Sequence, residues 1–283
     1  VFWSFWWRSM TFVWLNGQLC QATEAHVSLA DRGLTLGDGL FETFRVKNGR
    51  VLHLDLHMER LQNGGAVLGL PVPDMDCVAQ AAQSLLDATG LQNGSARLTV
   101  TRGVAPRGVL PPQHCTPTVS MTVAEGEARV SDVSLMTAQT VRRDELSPLN
   151  RVKSLNYLPN ILARREAAQA GCDEALFLNV QGRVSETTIS TVVIQEQNRF
   201  ATPPVSEGAL PGVARAVLLR TGLLQEECLA RERLRAADAV YLINSLSVRR
   251  VQVFDGQSVR QSSVGLRRLC AALDVPLPEG TGA

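Results

Sequence analysis

Helical patterns that stop at a glycine alternate along this chain with strand-like runs, and that alternation restricts it to a mixed α/β architecture. Glycines 69, 90, 171 and 222 each close such a helical stretch. Strand-like runs read at 13–15, 40–46, 51–54, 96–101, 118–123, 133–137, 174–179, 187–195 and 239–243. Asn16-Gly17 and Asn48-Gly49 mark tight turns, because Asn-Gly tolerates positive φ. Asp55 is positioned to cap a helix whose apolar Leu56, Leu61 and Val67 share a face. Leu158, Ile161, Leu162 and Ala168 read as the buried stripe of a second-half helix over 156–170, with Pro159 in its permitted first turn. The proline- and glycine-rich stretch 103–117 is a loop.

At 283 residues, 45% apolar and 19% charged, the chain has the length and core for two globular domains. We expect a smaller α/β domain over 10–123, a connection at 124–127, and a larger α/β domain over 128–283 that carries Lys153. A formal net charge of +1 gives no electrostatic reason to expect nucleic acid or an anionic membrane as partner. The six cysteines lie far apart with no Cys-x-x-Cys, so neither a metal site nor a disulfide framework is signalled, and a reduced cytoplasmic setting is expected. Residues 1–9 hold three of the four tryptophans. They are too short to span a bilayer and have no signal-peptide cleavage site; we read them as an extension outside the fold, with a short hydrophobic anchor as the other reading.

Only two lysines, Lys47 and Lys153, stand against 26 arginines. A lysine amine can lose its proton and attack a carbonyl, which a guanidinium cannot do. Lys47 belongs to the exposed Asn48-Gly49 turn, so Lys153 is the candidate nucleophile; compositional accident is the alternative. Glu186 sits beside a β-branched run poor in charge, where a carboxylate needs a cationic or N–H partner. Gly212 precedes a helix whose first N–H groups face a phosphate or simply begin a turn. Asn244-Ser245 is either a strand cap or a source of hydroxyl and amide donors, and Arg60 is either a surface residue or an anion ligand. Taken together, a Schiff-base lysine, a buried carboxylate and phosphate-binding turns outline a pyridoxal phosphate site.

The strings GDGLFETFRV, KSLNYLPNILARREA, DEALFLNVQGRVSET and LPGVAR, in this order, resemble the fold-type IV pyridoxal phosphate enzymes: branched-chain aminotransferases, D-amino-acid aminotransferases and 4-amino-4-deoxychorismate lyases. The resemblance spans residues 14–256. It implies a two-domain α/β fold like that of D-amino-acid aminotransferase, a homodimer, and pyridoxal 5'-phosphate in the interdomain cleft. It implies further that Lys153 is the Schiff-base lysine and proton shuttle, that Arg60 in His-x-x-Arg-Leu binds the cofactor phosphate, and that Glu186 bonds the pyridine nitrogen. Val213, Ala214 and Ser245 fall where the phosphate is cradled. Ala214 replaces a frequent threonine, and Thr191 and Val193 replace the usual asparagine and phenylalanine.

The resemblance turns the face bearing Phe41, Thr43 and Arg45 toward a small-molecule substrate. D-amino-acid aminotransferases carry a histidine two positions after the second arginine of the 101–109 loop; here that position is Val109. Arg107-Gly108, the Asn244-Ser245-Leu246 turn and Lys-Ser-Leu-Asn-Tyr resemble most the aminodeoxychorismate lyases. Thr43, Arg45, Arg107 and Leu246 are the candidate substrate contacts, with Arg102 as a weaker one. The expected reaction is cleavage of 4-amino-4-deoxychorismate to 4-aminobenzoate and pyruvate in folate biosynthesis. The alternatives are an aminotransferase acting on D-amino or branched-chain amino acids with 2-oxoglutarate, or a protein without enzymatic activity. After Leu246 the chain has Ser247-Val248-Arg249-Arg250 where lyases tend to have Met-Gly or Met-Pro, and the two arginines either bind a dicarboxylate or face water.

Overall fold

A computed structural model of the protein describes residues 11–277, so the aromatic stretch 1–9 lies outside the described residues. The chain divides into two compact units. One runs to Glu127 and also takes in Val152–Asn156; the other is formed by Ala128–Arg151 and the chain from Tyr157 onward.

The first unit contains β1 (Phe12–Leu15), β2 (Gln18–Gln21), α1 (Arg32–Leu36), β3 (Gly39–Lys47), β4 (Arg50–Val51), α2 (Leu54–Leu68), α3 (Met75–Thr89), β5 (Gly94–Thr101) and β6 (Thr118–Glu125). Its strands form one sheet in the order β2-β1-β6-β5-β3-β4. Strand alternation sends Leu40, Phe44 and Val46 to one face, where they join Leu61, Val78, Leu85 and Leu98 in a buried cluster with the helices. Antiparallel pairing sets Phe41 opposite Thr99 and Thr43 opposite Arg97 on the other face. The strand expected over 51–54 is cut short: His53 turns left-handed at φ 53° and α2 begins at Leu54. Asp55 therefore lies inside the first turn rather than capping it, and Val67 is exposed. Positions 124 and 125, expected in the connection, are the last two rungs of β6 against Ser95 and Gly94.

The sequence expectation assigned Lys153 to the second half, but its segment packs with the first unit. Phe41 N–H donates to the Lys153 carbonyl at 2.9 Å, and Leu155 N–H donates to the Gly39 carbonyl at 3.0 Å. This side of β3 is open beyond the short β4, which pairs only with Val46 and Lys47. Val152 is buried in the same apolar cluster as Leu40.

The second unit contains β7 (Arg129–Thr137), α4 (Leu158–Gln169), β8 (Glu174–Leu178), β9 (Val184–Thr187), β10 (Thr191–Glu196), β11 (Arg199–Thr202), α5 (Val213–Arg220), β12 (Leu224–Glu226), α6 (Arg231–Ala236), β13 (Ala239–Asn244), β14 (Ser247–Phe254), β15 (Gln257–Ser258) and α7 (Ser263–Ala272). The sheet runs β12-β11-β10-β13-β14-β7-β8-β9, with β15 pairing β14. It is covered on both faces: Val240 and Leu242 of β13 enter one buried cluster, while Tyr241 and Ile243 enter another with α5 and α7. The single strand expected over 187–195 is broken by a turn in which Thr187 and Ser190 exchange hydrogen bonds.

Helix α4 presents the face opposite to the one its leucines indicate. Leu158, Ile161 and Leu162 are exposed, whereas Ala163 and Ala167 are fully buried against Ala138, Ala175 and Phe177. Small side chains let the helix approach β8 closely, so the buried surface is alanine. Ala163→Leu should therefore destabilise the protein by about 1–3 kcal/mol through overpacking, while Leu158→Ser should stay within about 0.5 kcal/mol. Urea unfolding midpoints check this, and the reverse ranking would contradict the packing.

Candidate active site

In the first unit, β3 carries functional groups on both faces. Phe41 is buried, with the Arg97 guanidinium 3.9 Å and the Lys153 ammonium 4.3 Å from its ring centroid. Lys153 is half-buried, and the backbone bonds that its carbonyl and the Leu155 N–H make to β3 fix where its side chain starts. Thr43 and Arg45 follow Phe41 on the same face, Thr43 half-buried and Arg45 buried. Arg97, which strand pairing sets opposite Thr43, belongs to this polar face and was not singled out from sequence.

On the opposite face, Glu42 points into the helical side of the sheet and is completely buried. Arg60 of α2 donates to it through two atoms, Nε to Oε1 at 2.8 Å and Nη2 to Oε2 at 2.6 Å. His57, one turn earlier, lies with Nδ1 2.7 Å from Oε2. Burial would push the Glu42 carboxyl up, but the charge and hydrogen bonds of Arg60, with the bond to His57, outweigh it and hold the carboxyl down at about 2. Burial also pushes the His57 imidazole below its ordinary value, against the opposing pull of Glu42. Arg60, read from sequence as an anion ligand or a surface residue, is thus a buried residue with a fixed guanidinium plane. An acidic residue between Leu40 and Phe44 on an apolar face was the available signal for this cluster.

Arg107 is exposed in the loop between β5 and β6. That loop is clasped by buried Arg32, which donates to the carbonyls of Gly108 at 2.7 Å and Val109 at 2.8 Å, and through Nε to Asp38 at 2.8 Å. Arg102, the weaker substrate candidate, is committed elsewhere: it bonds Asp38 and the Leu68 and Gly69 carbonyls at the end of α2. Burial opposes ionisation of Asp38, yet the two arginines hold its carboxyl below the usual range. Gly103 begins the loop at φ 83°, and a Cβ there would lie 2.0 Å from the Thr116 carbonyl oxygen, so no side chain fits.

In the second unit, Glu186 stands in β9 with its Oε1 2.9 Å from Arg143 Nη2 and its Oε2 accepting from Leu210 N–H at 3.0 Å. Arg143 lies over the Phe177 ring at 4.2 Å and donates to Asn160 Oδ1 at 3.2 Å. Asn160 in turn donates to the Thr188 carbonyl at 2.6 Å. Thr188 bonds Glu174, whose other oxygen accepts from Arg249 at 2.8 Å. Arg249 also meets Ser190 Oγ at 2.9 Å, which accepts from Asn244 Nδ2 at 3.1 Å. A continuous polar chain thus ties Glu186 to the Asn244 turn. Arg249 serves this chain and Arg250 pairs with Asp132, so neither stands as a lone cation. Arg143 and Asn160 were not singled out from sequence; Arg143 sits in an irregular segment where no periodicity marks it.

Helix α5 starts at Val213 with Gly212 as N-cap and no side-chain cap, which leaves the first-turn N–H groups, including those of Val213 and Ala214, without a side-chain acceptor. A Cβ at 212 would come within 2.9 Å of Thr191 Oγ1, so the approach is close. Ala214 shares a buried cluster with Ile243 and Val248, which flank the 244–247 turn. In that turn the Leu246 N–H is taken by Asn244 Oδ1 at 2.9 Å; Ser245 is half-buried at its tip. Among the described residues, no group of His, Cys, Asp and Glu could hold a metal ion, and no helix is long and apolar enough to cross a membrane.

Because Glu42 is ionised in the fold down to about 2 and in the unfolded chain only above about 4.5, its contribution is complete above the higher value and lost as pH falls between them. His57, whose imidazole is held below its unfolded value of 6.5 by burial, adds a loss in the same direction as pH falls below that value. Glu42→Gln should cost about 3–5 kcal/mol at neutral pH, since it leaves the buried Arg60 charge uncompensated, and should flatten the decline of stability between pH 4.5 and 2. Chemical denaturation across this range tests it; an unchanged pH profile would contradict the assignment.

Comparison with known proteins identifies the family of the chain. The family model for amino-transferase class IV matches residues 39–254. A D-alanine aminotransferase of Bacillus licheniformis is 31% identical over 89% of this chain and 92% of its own length. An aminodeoxychorismate lyase of Bacillus subtilis is 29% identical over 83% of each chain. The crystal structure of a branched-chain aminotransferase from Thermoproteus uzoniensis superimposes with a TM-score of 0.83 at 27% identity, covering 93% of this chain and 95% of that one. The mixed α/β units match the fold-type IV architecture of such enzymes. The protein is thus a member of the class IV aminotransferase family, whose coenzyme is pyridoxal 5'-phosphate.

Proposed function

We propose that this enzyme is a pyridoxal phosphate-dependent 4-amino-4-deoxychorismate lyase, forming 4-aminobenzoate and pyruvate. The groups needed by the coenzyme are present. An amine for its aldehyde is Lys153, and an anion site for its phosphate is supported by the uncapped start of α5 at Val213 and Ala214. Arg60 and Ser245 complete the phosphate set in this reading. Glu186, paired with Arg143, suits a protonated ring nitrogen, since a carboxylate accepts several hydrogen bonds at once. When bound, the coenzyme supplies an electron-withdrawing ring conjugated to the substrate amine.

The chain's own residues then have separable tasks. Lys153 Nζ takes the proton from the amine-bearing ring carbon of the substrate. Glu186 keeps the ring nitrogen protonated, and Arg107 binds a substrate carboxylate, with Thr43, Arg45 and Leu246 shaping the rest. Departure of the enolpyruvyl group from the neighbouring carbon leaves an aromatic product, so no oxo acid is needed. The observation that carries the choice of lyase is Val109. Arg32 grips its carbonyl while its side chain is 85% exposed, so the position holds no second donor beside Arg107 for an α-carboxylate trap. Each charge-assisted bond lost from such a trap costs about 1.5–3 kcal/mol.

We also read the protein as a homodimer, as the resemblance implies, and as cytoplasmic, as the scattered cysteines suggest. The exposed Val109 and Leu110 are apolar surface that a second copy would cover, and the six cysteines form no disulfide. Incubation with aminodeoxychorismate and no oxo acid should release pyruvate and 4-aminobenzoate in equal amounts. Turnover confined to D-alanine or branched-chain amino acids with 2-oxoglutarate would assign the aminotransferase reaction instead.

A further inference from the structure

We infer that Glu42 is a positioning residue for the coenzyme phosphate, acting through Arg60. The inference rests on the reading of Arg60 as a phosphate ligand and adds a residue to which that reading gives no task. Glu42 belongs to the motif string on β3 but faces away from Phe41, Thr43 and Arg45, into the apolar side of the sheet. It is fully buried there and engages the Nε–Nη2 edge of Arg60 through both carboxylate oxygens.

A guanidinium is a rigid plane of five N–H donors, so a two-point bond along one edge sets the direction of the other edge. Arg60 is itself buried on α2, where an unpaired cation would draw in water or swing outward. The carboxylate removes that cost and fixes the plane in advance, and His57 holds Oε2 from a third direction at 2.7 Å. The groups facing Glu42 are therefore Arg60 and His57, both from α2, set against a strand whose neighbouring inward residues are Leu40 and Phe44. The anion then meets a donor edge that needs no reorganisation, which is the condition under which charge-assisted bonds discriminate most strongly.

The test compares binding of pyridoxal 5'-phosphate with binding of pyridoxal, which lacks the phosphate, to the full-length apo-protein by absorbance titration. Glu42→Gln should weaken pyridoxal phosphate binding roughly tenfold or more while leaving pyridoxal within about twofold. Glu42→Asp keeps the charge but draws it back by one methylene; it should show a smaller loss with the same selectivity, and decides the matter if Glu42→Gln does not fold. Equal losses for both ligands would reveal a purely structural role and overturn the inference, as would no loss. Arg60→Met separates the two possible failures. If it spares pyridoxal phosphate binding, the reading of Arg60 falls and the inference with it; if it weakens that binding while the Glu42 variants show no selective loss, only the role of Glu42 falls.

Discussion

Two backbone hydrogen bonds fasten Val152–Asn156 to β3, and most of the first unit's chemistry depends on that strand. One edge of β3 holds the lysine-bearing segment. One face shows Phe41, Thr43 and Arg45, and the other turns Glu42 toward Arg60. Period-two alternation makes these placements interdependent, because a one-residue slip would exchange the two faces. The register is secured by eight consecutive β3–β5 pairs and by buried Leu40, Phe44 and Val46. Apolar packing thereby aims polar groups that contribute little to stability themselves.

The second unit meets a different problem, since it buries Glu174, Glu186 and Arg249 in and beside the sheet, with half-buried Arg143 against Glu186. Each such charge is costly unless its partner is well placed. The chain from Glu186 through Arg143, Asn160, Thr188, Glu174, Arg249 and Ser190 to Asn244 supplies those partners. It also makes the carboxylate and the Asn244 turn parts of one network, in which removal of any member strands a buried neighbour. A few donors in this region remain without a protein acceptor, among them Arg143 Nε and Arg249 Nε.

Much of this was legible in the sequence, and the exceptions have physical causes. Helix ends at Gly69, Gly90, Gly171 and Gly222 were readable because positive φ there favours glycine. The strands 40–46, 96–101 and 239–243 were readable because their residues alternate or run β-branched. Helix α4 was misread because its buried surface is alanine, which carries no hydrophobic signal against exposed leucines. The short α1, β11, β12 and α6 escaped notice because so few residues show no period. The placement of Lys153 with the first unit was invisible because it rests on long-range backbone pairing rather than on local pattern. Arg32 and Arg102 show the same limit: a guanidinium that grips a loop reads, in one dimension, like one that awaits a substrate.

The account as a whole requires the amine at position 153, rather than the one in the Asn48-Gly49 turn, to be where the coenzyme attaches. Borohydride reduction of the coloured holoenzyme followed by peptide mass mapping tests this directly. The account predicts a reduced pyridoxyl phosphate adduct on the peptide containing Lys153 and none on that containing Lys47. Label on Lys47 alone, or no covalent label on a protein that retains bound coenzyme, would contradict it.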